Sequence, residues 1–96
     1  MDINYSKLPV HMQEAARGYV EDGGYIGGFL VALFCNDLVK TYGKADNTNR
    51  EAISEWIDFL YWEAPSLCWG SIEKVIKWQK SGGLNGCMTV SAVEEK

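Results

Sequence analysis

The chain has 96 residues, 47% of them hydrophobic and 23% charged, with a formal net charge of −4 at pH 7. That length gives one domain with one modest core, and the near-ordinary composition excludes disorder and fibrous repeats. The basic residues lie scattered among acids, so the clustered cations that generic DNA or RNA binding uses against phosphates are not present.

The first helical pattern opens at Pro9, tolerated at a helix start, and predicts a helix over 9–21 with Met12, Ala15, Ala16, Tyr19 and Val20 on one face. Gly18 inside it lowers helix propensity by about 1 kcal/mol relative to alanine, which implies close packing of another backbone there. Asp22-Gly23-Gly24 ends the helix. A second helix is predicted over 27–42, burying Phe29, Leu30, Leu33, Phe34 and Leu38. Because Val31, Ala32 and Cys35 leave it apolar nearly all round, it belongs in the middle of a bundle.

A third helix, over 47–63, is capped by Asp46 or Thr48, with Glu51 completing a capping-box pattern. Its core stripe is Ile53, Trp56, Ile57, Leu60 and Ala64, and Pro65 ends it. Phe59 and Trp62, beside Tyr61, form a second apolar edge that a chain of this size cannot cover alone, and these two residues are the expected partner interface. The fourth helix, 71–81, is capped by Ser71, carries Ile72, Val75, Ile76 and Trp78, and stops at Gly82-Gly83. Its Lys74, Lys77 and Lys80 read as a solvated face.

The expected fold is therefore all-α, a compact bundle of about four helices forming a single domain over 1–84. The tail from Asn85 shifts to short β-compatible residues, Cys87 to Val93, and reads either as a loose terminus or as a strand awaiting an edge. The longest apolar run, 25–35, covers 11 residues, too few to cross a bilayer. The N-terminus lacks a basic region followed by an apolar stretch, so no secretory signal is expected, and three cysteines without metal-type spacing fit free thiols in a cytoplasm. No metal and no cofactor is expected.

Catalytic chemistry is poorly provided for. His11 is the only histidine, no nucleophile motif surrounds a serine, and a Cys68–His11 pair has no support in spacing. Binding chemistry is better represented. Gly23-Gly24-Tyr25-Ile26-Gly27-Gly28 runs into a helix start, where free N–H groups hold an anion or the glycines simply allow a tight connection. Asn36 and Asp37 interrupt the most apolar helix and need partners, either structural or from a ligand. Trp69-Gly70-Ser71 sets an indole beside a second helix start, as a stacking surface or as a core hinge. The candidate ligand-binding residues are Tyr25, Gly27, Gly28, Asn36, Asp37, Asn49, Trp69, Gly70 and Ser71.

The ordered set Leu8-Pro9-Val10-His11-Met12, Gly27-Gly28-Phe29-Leu30, Asn36-Asp37-Leu38, Ala45-Asp46 with Asn49, Phe59-Leu60-Tyr61, Ala64-Pro65 and Cys68-Trp69-Gly70-Ser71 resembles a family of small bacteriophage accessory proteins. The resemblance covers roughly residues 8 to 84 and implies a bacterial cytoplasm during infection. By analogy with such products, the expected function is non-catalytic counteraction of antiviral defence, through sequestration of a small nucleotide-derived immune signal. The alternative is a protein–protein inhibitor that occludes a host defence enzyme such as a nuclease. A homo-oligomer is expected from the surplus aromatic surface.

Overall fold

The fold was established from a computed structural model, which describes residues 3–86. Within them the protein is all-α, with no strand. The helices are α1 (Val10–Asp22), α2 (Gly28–Phe34), α3 (Leu38–Lys44), α4 (Asn47–Glu51), α5 (Ile53–Asp58) and α6 (Ile72–Ser81). A π-helical turn over Phe59–Glu63 extends α5, and a 3₁₀ turn over Ser66–Cys68 precedes α6. No helix among the described residues is long and apolar enough to cross a membrane. Of the tail expected from Asn85, residues 87–96 lie outside the described residues, and the Asn85 side-chain amide donates to the Asp22 carboxylate at 2.8 Å.

Local chemistry sets most helix ends. Pro9 precedes α1, whose last turn closes in the left-handed residue Gly23, with the Gly23 N–H on Tyr19 O and the Gly24 N–H on Gly18 O. The Asp46 carboxylate accepts from the Asn49 N–H at 2.7 Å and caps α4, while the Ser71 hydroxyl accepts from the Lys74 N–H and caps α6. Gly82, at φ 85°, ends α6.

Two predicted helices are broken. The one expected over 27–42 stops at Phe34, because Asn36 takes a left-handed conformation at φ 64° and Asp37 starts α3 as a new N-cap through its bond from the Lys40 N–H. Asparagine tolerates that backbone region better than most residues, so the polar pair acts as a corner. Leu38, expected in the core, consequently lies exposed on α3. The helix expected over 47–63 pauses at Ala52 and then widens into the π turn, where the Ala64 N–H reaches back five residues to Phe59 O.

Trp56 is the centre of the core, with no solvent exposure. Its ring meets Phe29 and Phe59 edge-on at centroid distances of 5.4 and 6.4 Å. Tyr19 packs on Phe34 at 4.5 Å, and its hydroxyl donates to Cys68 O at 2.6 Å. Trp78 of α6 donates its indole N–H to both Tyr19 O and Val20 O near the end of α1. Beside that bond Gly23 and Gly83 pass so closely that a Cβ on Gly83 would sit 2.5 Å from the Gly23 nitrogen. This is a close backbone approach of the kind expected at Gly18, but it lies at the end of α1. At Gly18 itself a Cβ would meet nothing within 4 Å.

Candidate functional site

The turn at Asn36 folds α3 back beside α2 and leaves a groove between α2, α3 and the start of α6, with a volume of about 670 Å³. Its floor is apolar, from Ile26, Val31 and Ala32. Lys40 and Lys44, one helical turn apart on α3, form one wall, and Ser71, Ile72 and Glu73 at the start of α6 form the other. Tyr25 stands at the rim, 93% exposed, so its ring offers an uncovered face.

Six of the nine ligand residues expected from sequence line this groove: Tyr25, Gly27, Gly28, Asp37, Gly70 and Ser71. The two glycine stretches meet because the Gly70 N–H donates to Phe34 O at 2.7 Å, fastening the approach to α6 onto the end of α2. Gly70 sits at φ 130°, a region open in practice to glycine alone.

The other three residues lie elsewhere. Asn49 is buried, and its side-chain oxygen accepts from the Trp56 indole N–H at 3.1 Å, so its hydrogen-bonding capacity serves the core. Asn36 is exposed at the α2–α3 corner and does not line the groove; its function there is conformational. Trp69 is partly buried against the core, the hinge position that its sequence context also allowed. In the expected partner interface, Phe59 requires the same kind of correction. It is buried against Tyr5 at 5.5 Å and against Trp56, whereas Trp62 is 73% exposed.

Electrostatically the groove is mixed. Lys40 and Lys44 face Asp37 and Glu73, two cations against two carboxylates. Lys44 lies across the start of α2, its Cδ 3.3 Å from where a Gly28 Cβ would stand, so the absence of a side chain at Gly28 lets the lysine stem settle there. Lysine stems thus lie against both glycines that precede or open these helix starts, Lys44 at Gly28 and Lys74 at Gly70. At the second start the Lys74 N–H is already occupied by Ser71. Neither Lys40 nor Lys44 was a sequence candidate. The signal was present in their spacing of four, but only the break at Asn36 turns that face toward α2.

Cys35 also lines the groove, and burial, then the Asp37 and Glu73 charges, push its thiol pKa up, with Lys40 opposing. Cys68 is fully buried, and desolvation raises its thiol to about 12. His11 bonds the Asp46 carboxylate at 3.2 Å on the surface, and neither lines the groove. The Asp46 carboxyl is held below its usual value, chiefly by the Asn49 N–H and next by His11. His11 is thus engaged by Asp46 at the surface, whereas the Cys68 thiol lies fully buried in the core. No family model, no curated protein and no solved structure matches this chain.

Proposed function

We propose that the groove binds a small ligand of nucleotide type and that the protein holds it without chemical change. The observation that carries this reading is the set of two lysines, two carboxylates and one open aromatic ring around a single concavity. Lysine ammoniums on consecutive turns attract phosphates as point charges. Asp37 and Glu73 accept hydrogen bonds from ribose hydroxyls or a base amino group, and Tyr25 supplies a face for the base. A simple polyanion would be repelled by those carboxylates, whereas a nucleotide brings donors for them. The groove volume of about 670 Å³ suits such a ligand, since small-molecule sites run to roughly 300–1,000 Å³.

Storage is favoured over cleavage because the groove presents no activated nucleophile: its one thiol is held toward the neutral form. The resemblance to phage accessory proteins supplies a setting, removal of a nucleotide-derived immune signal from the infected cell. Calorimetry against a panel of cyclic and ADP-ribose-type nucleotides gives at least one ligand, recovered intact after heat denaturation. Lys40→Ala with Lys44→Ala weakens it at least about tenfold, while stability changes by less than about 0.5 kcal/mol. Bound ligand also slows alkylation of Cys35. Silence across the panel removes the reading, and product formation replaces storage with catalysis.

A further inference from the structure

A second concavity, of about 270 Å³, lies between the N-terminal segment and the junction of α5 with the π turn. It is lined by three carboxylates, Glu55, Asp58 and Glu63, against one ammonium, Lys7, with Trp62 as the exposed apolar wall and the buried Phe59 behind it. Glu63 accepts from the Asn4 N–H at 3.0 Å and Glu55 from the Ser54 hydroxyl at 3.3 Å, but Asp58 has no hydrogen-bond or ion-pair partner among the described residues. The Trp62 ring is steadied edge-on by Tyr61 at 4.7 Å, and both rings are exposed.

We infer that this face docks an arginine side chain presented by a different protein. A guanidinium is the cation this arrangement fits: it is planar enough to stack on an indole, and its fork of donors serves two carboxylates at once. Excess negative charge in the concavity is the complement it requires, and the exposed Trp62, with Tyr61 edge-on beside it, supplies the apolar contact of a protein interface. A second copy of the chain does not fit the role. Its only arginines are Arg17, stacked on Tyr5 at 4.8 Å, and Arg50, stacked on Tyr42 at 5.0 Å, and two copies each carry a net charge of −4.

The probe is an acetylated and amidated pentapeptide, Gly-Leu-Arg-Leu-Gly, titrated into the whole protein and followed by two-dimensional NMR. The Trp62 indole N–H and the amides of Glu55 and Asp58 shift saturably, and the peptide with lysine in place of arginine binds at least about threefold more weakly. Glu55→Gln with Asp58→Asn abolishes the response and leaves the remaining amide spectrum folded; Trp62→Ala weakens it. Any of four results overturns the inference: no shift at millimolar peptide, equal response to both peptides, persistence in the double variant, or a sedimenting dimer that Trp62→Ala dissolves.

Discussion

Two regions of this molecule hold the same kinds of residue, aromatic rings beside polar groups, and treat them oppositely. Around Trp56 the polar atoms are consumed internally: Asn49 accepts from the Trp56 indole, Tyr19 donates to Cys68 O, and Trp78 donates to two carbonyls of α1. In the α2–α3–α6 groove the lysines, the Glu73 carboxylate and the Tyr25 ring face outward. Residue type alone does not distinguish a binding group from a structural one. The distinction is made by whether the fold has already supplied its partner.

The comparison is tested first where the effect is largest. Trp56→Ala removes the central ring and lowers unfolding free energy by about 3–5 kcal/mol in urea titrations. A loss no greater than that of an exposed residue would mean the hub is not where Trp56 places it. Asn49→Ala leaves the buried indole N–H without its acceptor and costs about 1–3 kcal/mol, while the affinity of the folded fraction for a groove ligand stays constant. Loss of affinity at constant stability would return Asn49 to the site.

The hub also predicts an alkaline limit. The Cys68 thiol is raised from 9.0 to about 12, and burial raises the Tyr5 and Tyr19 hydroxyls as well. A folded-state pKa above the unfolded one stabilises fully below the unfolded value and loses its effect as pH climbs toward the folded value. Stability thus declines from about pH 9 upward, by about 1.4 kcal/mol per pH unit for each group in its window. Cys68→Ala makes the decline between about pH 9 and 10 shallower, leaving the raised Cys35 thiol as the thiol contribution in that window, measured as melting temperature against pH. The smallest effect is at Gly18, where open space lets Gly18→Ala raise stability by about 0.5–1 kcal/mol.

Helix content was legible in the sequence because caps and stops are local. Pro9, Asp46, Ser71, Gly23 and Gly82 mark ends that the fold uses. The interior of the long segments was less legible. A run apolar on every side gives no direction, so the sequence does not reveal that Asn36 makes a corner or that Lys40 and Lys44 share a face toward α2. In the third segment, period-3.6 counting placed Ile57 inside and Phe59 at the edge, whereas the pause at Ala52 and the wide turn after Asp58 exchange them. Ile57 is 44% exposed and Phe59 3%. The engagement of Asn49 depends on an indole arriving from seven residues further on, a tertiary event that composition does not encode. Of the candidate site, the glycine stretches and Tyr25 were visible as donors and a ring, but their meeting depends on the Gly70 bond to Phe34 O.

The bond from Trp78 to α1 spans 59 positions, and the Gly23–Gly83 approach beside it spans about as many. Drawing together such distant stations is entropically costly in an open chain, so this clasp closes only once the intervening helices have assembled. It also anchors the far end of the helix whose first turn walls the groove. A single methyl group at Gly83 would meet the backbone of Gly23, Asp22 and Glu21 and force this clasp apart, although none of those residues lines the groove.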